Sequence, residues 1–234
     1  MFKNPLVVGY KGEIGSFILQ CLLKKMPKAK NIWCFDINDA EEDKIERIQK
    51  ADIIFLCIPL EMTGDWFLQY RDHLKGKVVV EQCSLKSSIN WNSPLMEGIT
   101  FIHMHILFRP SSTPNKDDRR CVLLRGCPHD PMVDICSTMD AHTSIVDWDV
   151  EKHDMIMAER QALVHRVLIV LDEMMGSGSL TYINNEVRKL AIRIRSGDKK
   201  LYKRIHDNKY TGVAVTEFNS KMKIFDIDKY MYEP

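Results

Sequence analysis

The chain has 234 residues, 45% of them hydrophobic and 28% charged, and a formal net charge of +1. That length fills one large domain or two small ones around a proper core, and the near-neutral balance gives no global attraction to nucleic acid or to a membrane surface. No apolar run approaches the ~20 residues that span a bilayer, and the seven cysteines, odd in number and without a CxxC pair, read as reduced buried thiols of a cytoplasmic protein, not as a disulfide frame or a metal site.

In chain order, PLVVG (5–9) reads as a buried strand and GEIGSFILQCLLKKM (12–26) as a helix, with Ile14, Phe17, Ile18, Cys21 and Leu22 at helical spacing. NIWCFD (31–36) is a second strand. ADIIFLCIP (51–59) is a third, nearly continuous in apolar character, as parallel strands buried on both faces are. KVVVEQCS (77–84), TFIHMH (100–105), CVLLRG (121–126) and TSIVD (143–147) read as further strands. Strands alternating with helical stretches predict a doubly wound parallel sheet. Asp36 and Ala51 are only fifteen positions apart, room for one short helix and no extra strand, so the sheet is abbreviated on that side.

After Asp147 the pattern changes. Residues 149–175 form one long helical pattern, stopped by GSGS (176–179), and helical patterns continue to about residue 222. This predicts two domains, 1–147 and 148–234, the second smaller and all-α. Its long apolar helix suits a homodimer interface. The segment 186–209 carries nine Lys/Arg against three Asp/Glu. A solvated helix face explains it, and so does a field that draws a small anionic substrate. Its aromatics are not interleaved to stack bases, which argues against nucleic acid.

VVGYKGEIGS (7–16) follows a strand and opens a helix, where glycines allow a tight turn and close approach of backbone N–H groups to a pyrophosphate. Asp36 ends the second strand, 21 residues after Gly15, where a carboxylate can accept hydrogen bonds from an adenosine ribose. The first glycine of the usual G-x-G-x-x-G spacing is displaced: position 10 is Tyr and the glycine is Gly9. Asp36 would repel a 2′-phosphate, which favours NAD over NADP. The candidate cofactor residues are Gly9, Gly12, Glu13, Ile14, Gly15, Asp36 and Pro59.

Two histidines, His103 and His105, lie in the apolar run FIHMHILFRP (101–110), and alternation puts both on one face of a strand. On this ground alone either is a core residue or a reacting group. Several segments together decide between them. The glycine turn 9–15, Ala51-Asp52 leading to Ile58-Pro59, Cys83-Ser84-Leu85-Lys86-Ser87, His105 to Pro110, Glu151-Lys152-His153-Asp154, Gln161 to His165 and Arg193-Ile194-Arg195-Ser196 follow one another in an order and spacing that resemble the prephenate/arogenate dehydrogenase family over roughly residues 5–210.

The resemblance implies an abbreviated Rossmann-type domain followed by a helical substrate and dimerisation domain. It implies NAD-dependent oxidative decarboxylation of prephenate or arogenate in tyrosine biosynthesis, with hydride leaving ring C4 for the nicotinamide. It assigns His105 as the catalytic histidine and Ser84 as its hydroxyl partner. Arg193 becomes the clamp on a substrate carboxylate, and His165, His153 and Lys86 further substrate contacts. The family's usual His-Pro-x-x-Gly-Pro is altered here: Ile106 stands for the proline and Arg109 for the glycine. That change keeps open a dinucleotide-binding protein without this catalysis, such as a sensor, and a dehydrogenase of another hydroxy acid.

Overall fold

The structure is a computed structural model that describes residues 2–27, 31–124, 129–176, 181–197 and 199–225. Two compact units divide after Val150, against the boundary after residue 147 expected from the pattern.

The first unit is built on one seven-stranded sheet in the order β2-β1-β3-β4-β5-β6-β7. The strands are β1 (Pro5–Val8), β2 (Trp33–Phe35), β3 (Ile53–Leu56), β4 (Val78–Glu81), β5 (Thr100–Ile106), β6 (Arg120–Leu124) and β7 (His142–Val146). Between them run α1 (Glu13–Lys25), α2 (Glu41–Lys50), α3 (Leu60–Leu74) and α4 (His129–Thr138). Every predicted strand is present. Arg125 and Gly126 of the sixth, and residues 177–179 of the GSGS stop, lie outside the described residues.

The apolar runs are buried on both faces, as their composition predicted. Val7, Phe55, Val80 and Met104 pack under α1 and α4, against Phe17, Ile18, Leu22 and Ile135. Leu6, Val8, Ile54 and Val79 pack under α2 and α3, against Ile48, Phe67, Tyr70 and Leu74. The stretch after Asp36 holds only α2, so β2 is the sheet's edge and the chain reverses between β1 and β3. Ligands of open α/β sheets bind at such a reversal, beyond the carboxyl ends of the strands.

The expected doubly wound parallel sheet is present with one local exception. The sheet is not wholly parallel: β6 runs antiparallel to β5, with Met104, His105 and Ile106 opposite Leu123, Val122 and Cys121. A parallel return needs a crossover, usually a helix. The connection carries Pro110 and Pro114 and forms only two 3₁₀ turns, Pro110–Ser112 and Lys116–Asp118. Proline removes a backbone donor and blocks a longer helix. The chain therefore turns straight back, and the parallel pattern resumes from β6 through α4 to β7.

The second unit is helical: α5 (Val150–Met157), a π-helical turn (Ala158–Leu163), α6 (Val164–Met175), α7 (Tyr182–Ser196), α8 (Lys199–His206) and α9 (Thr211–Lys223). The single long helix expected over 149–175 is thus interrupted at Ala158, and π turns recur at functional sites. Asp172 of α6 joins Arg188 and Arg195 of α7. Among the described residues no helix is long and apolar enough to cross a membrane.

Two glycines of the first unit make opposite demands. Gly9 has φ +76°, and a Cβ there would lie 2.4 Å from the Cys57 carbonyl oxygen. Gly64 lies inside α3 with open space around it. Gly9→Ala should lower stability by at least ~1–3 kcal/mol from backbone strain alone, whereas Gly64→Ala should raise it by ~0.5–1 kcal/mol. Urea unfolding of the two variants checks both signs.

Candidate functional site

The glycine turn is a close-packed junction of backbones. Gly9 N–H donates to the Phe35 carbonyl at 2.9 Å and Cys57 N–H to the Val8 carbonyl at 3.0 Å, so the ends of β1, β2 and β3 are held together. A Cβ on Gly15 would stand 2.2 Å from the Gly9 oxygen, and one on Gly12 3.3 Å from it. The displaced first glycine is therefore the one that the β1–β3 contact requires, and Gly15 lets α1 start directly over the turn. Gly12 caps α1, whose first-turn N–H groups lack intrahelical partners.

A cavity of about 440 Å³ opens beside this turn at the carboxyl ends of β1, β2 and β3. Of the expected cofactor residues, Gly9, Gly12, Asp36 and Pro59 line it, and Glu13, Ile14 and Gly15 are absent from its described wall. Asp36 accepts the Lys11 N–H at 3.0 Å on one oxygen and the Ile37 N–H at 2.9 Å on the other. A carboxylate has about four lone-pair sites, so acceptor capacity remains for a sugar diol. The residues present thus fit a dinucleotide: a cradle that any Cβ would fill, a helix N-terminus and a poised carboxylate.

Glu13 turns elsewhere. Its carboxylate accepts the Ser111 N–H at 2.7 Å and Arg109 Nε–H at 3.0 Å. Burial works to raise its pKa, but the Ser111 and Arg109 bonds prevail and hold it below the ordinary carboxylate value. Arg109 therefore clasps the β5–β6 connection to the start of α1.

The sequence reading missed the far wall: Lys44 of α2 and Met62, Asp65, Trp66, Gln69 and Tyr70 of α3. Lys44 donates to the Ile37 carbonyl at 2.9 Å. Trp66 Nε1 is buried with no partner among the described residues. The available signal was the i, i+3, i+4 spacing of Met62, Trp66, Gln69 and Tyr70, which puts them on one side of α3.

At the next strands lie Ser84, Lys86 and His105. The β5 register places Ile102, Met104 and Ile106 under α1 and α4, whereas Phe101 packs on the α3 side, so His103 and His105 share that second face. His103 Nδ1 is 2.9 Å from Glu81 Oε1, and its ring stands 5.0 Å from that of Trp91. His105 is buried, in register with Val122. Ser84, half-buried, follows β4 in a loop. Lys86 is fully buried, and its ammonium is held by Glu81 and by the Cys83 and Met104 carbonyls. Gln82, beside them, has both amide atoms buried without a partner among the described residues.

In the helical unit, Arg193 lies exposed on α7, and no ion pair of its guanidinium is recorded among the described residues, in contrast to Arg188 and Arg195. His153 is fully buried, with Nδ1 2.7 Å from Asp154 Oδ1. His165, just after the π turn, has a buried Nδ1 without a partner among the described residues and faces Tyr202 at 5.1 Å. Burial, then the neighbouring His206, push its pKa down to about 4.

No family model and no curated protein matches the chain. Solved structures do. An arogenate dehydrogenase from Synechocystis matches with a TM-score of 0.68 at 14% identity, over 94% of this chain and 89% of its own. Prephenate dehydrogenase from Aquifex aeolicus, solved with hydroxyphenyl propionate and NAD+, matches with 0.69 at 17%, over 95% and 89%. A putative prephenate dehydrogenase from Corynebacterium glutamicum matches with 0.72 at 14%, over 100% and 83%. The chain shares their fold.

The depressed His165 value fixes a sign. Between about 4 and the ordinary 6.5 the unfolded chain binds the proton and the folded chain does not, so stability declines as pH falls through that window. His165→Asn should flatten the decline in urea titrations at successive pH values, although His206, shifted the same way, keeps part of it. An unaltered slope would remove His165 from the cause.

Proposed function

We propose that the protein is a nicotinamide-dinucleotide-dependent dehydrogenase of the prephenate/arogenate type. The observation that carries the reading is the cavity at the β1–β3 reversal, framed by Gly9, Gly12 and Asp36. The extent of the fold match to arogenate and prephenate dehydrogenases supports the substrate class.

In this reading the Asp36 carboxylate accepts the adenosine ribose hydroxyls, and the α1 N-terminus with its glycine turn meets the pyrophosphate. The same carboxylate repels a 2′-phosphate, which makes NAD the preferred cofactor. A bound nicotinamide would supply the hydride acceptor for ring C4 of the substrate. His105 takes the proton of the 4-hydroxyl, because a neutral imidazole is an acceptor near neutral pH. Ser84 orients that hydroxyl, and carbon dioxide leaves as the ring becomes aromatic. Arg193 holds a substrate carboxylate through its planar fork, and His165 contributes from the same unit. His153, paired with Asp154, orders α5, and Lys86 acts within the protein interior instead of on the ligand. Exposed apolar side chains such as Met174, Tyr182 and Ile183 of the helical unit support a homodimer, which sedimentation at graded concentrations tests.

A second reading rests on the Arg109–Glu13 clasp. It alters the loop that follows His105 and suits a dinucleotide-binding protein without this turnover.

Calorimetry with NAD and NADP, followed by absorbance with prephenate or arogenate, separates the two. The dehydrogenase reading expects NAD to bind more tightly than NADP and reduced cofactor to appear. His105→Ala should cut kcat by ~10²–10⁴-fold with NAD affinity retained; an undiminished kcat would remove His105 from the chemistry. Asp36→Asn should weaken NAD and narrow its advantage over NADP. Cofactor binding without turnover on either cyclohexadienol favours the second reading.

A further inference from the structure

Glu81, the last residue of β4, and Lys86 are both fully buried. An isolated buried charge is expensive, and burial of a pair is tolerated only where hydrogen bonds meet both partners. They do so here. Lys86 Nζ donates to Glu81 Oε1 at 2.5 Å, to the Cys83 carbonyl at 3.0 Å and to the Met104 carbonyl at 2.8 Å. Those three bonds use the ammonium's three donors. Glu81 Oε2 accepts the Cys83 N–H at 2.7 Å, and Oε1 also meets His103 Nδ1 at 2.9 Å.

The bonds have a particular layout. Cys83 is held at both its N–H and its carbonyl, and Lys86 closes the other end of the same short loop. Ser84 lies inside that closed loop. The Met104 carbonyl belongs to the peptide group whose nitrogen is that of His105. It lies past Glu81–His103, the last β4–β5 pair, where the ladder no longer supplies it a partner from β4. One ammonium therefore ties the peptide before His105 to the loop of Ser84.

We infer that Glu81 and Lys86 are a positioning pair: they fix the Ser84 loop against the His105 peptide, and His103 supports the pair without meeting the substrate. The inference rests on the dehydrogenase reading in so far as Ser84 and His105 are its reacting groups. Burial tends to raise the Glu81 pKa, yet Lys86, and then His103, keep it at about 2, so the carboxylate stays charged throughout the working range. Lys86 has no donor to spare for a ligand.

The test compares wild type, Ser84→Ala, Glu81→Gln, the charge-neutral double variant Glu81→Gln/Lys86→Met, and Glu81→Gln combined with Ser84→Ala. The double variant removes both charges together and so avoids leaving one buried alone. It is expected to bind NAD within threefold of wild type, with KM little changed and kcat lowered by ~10–100-fold, the scale of a small misplacement of reacting groups. Adding Glu81→Gln to Ser84→Ala should cost less than ~3-fold more, because coupled residues are not additive. Amide hydrogen exchange across 83–88 should quicken by at least tenfold, with that of β1 and α1 unchanged.

Losses that multiply in the combined variant overturn the inference, since Glu81 would then act independently of Ser84. Unchanged exchange across 83–88 overturns it as well. If wild type turns over neither prephenate nor arogenate, the dehydrogenase reading fails, and exchange alone decides: quickened, the pair positions this loop; unchanged, it does not.

Discussion

Three backbone segments converge on Gly9, and no side chain fits among them. Its N–H reaches the Phe35 carbonyl of β2, its Cα hydrogen faces the Cys57 carbonyl beyond β3, and its own oxygen lies against Gly15 of α1. This contact sets the distance from the first helix to the sheet. It also ties together the ends of β1, β2 and β3, beside which the cavity opens, and sets the N-terminus of α1 at those strand ends. Asp36 follows from the same junction, because the Phe35 carbonyl that receives the Gly9 N–H is one residue before it, and Lys11 of the turn binds its carboxylate.

The β4–β5 side is organised by charge. A lysine and a glutamate with no exposed surface sit in the protein interior, an environment that normally excludes both. Their retention follows from the hydrogen bonds they make to backbone groups that the sheet leaves unpaired. A hydrophobic pair of the same volume could fill that space but could not bind the Met104 carbonyl or the Cys83 peptide groups. The cost of burying the charges is offset by an ordered loop at the sheet's carboxyl edge.

The connection after His105 departs furthest from the resemblance. Two prolines prevent a crossover helix, β6 returns antiparallel, and Arg109 fastens the connection to Glu13. A free Glu13 carboxylate in the first turn of α1 would repel an anionic ligand at that helix end. Its bonds to Ser111 and Arg109 draw its charge away from the helix end, so the altered loop and the acidic first turn compensate each other.

Much of this was legible in the chain by itself. Continuous apolar runs at 5–8, 53–56 and 78–80 required strands covered on both faces, because no alternation offers a polar side to water. The short interval after Asp36 limited β2 to an edge. The glycine spacing and Asp36 located the turn. What the tertiary structure decided concerns partners distant in sequence. Lys86, a substrate contact by the resemblance, is enclosed in the structure by Glu81 and the Met104 carbonyl. His103 is claimed by a carboxylate 22 positions away. Glu13 and Arg109 meet across 96 positions. The α3 wall of the cavity and the π turn before His165 leave faint traces in periodicity. Propensity and spacing act along the chain, whereas the choice of partner for a buried polar group depends on which unpaired groups the fold brings within hydrogen-bond reach.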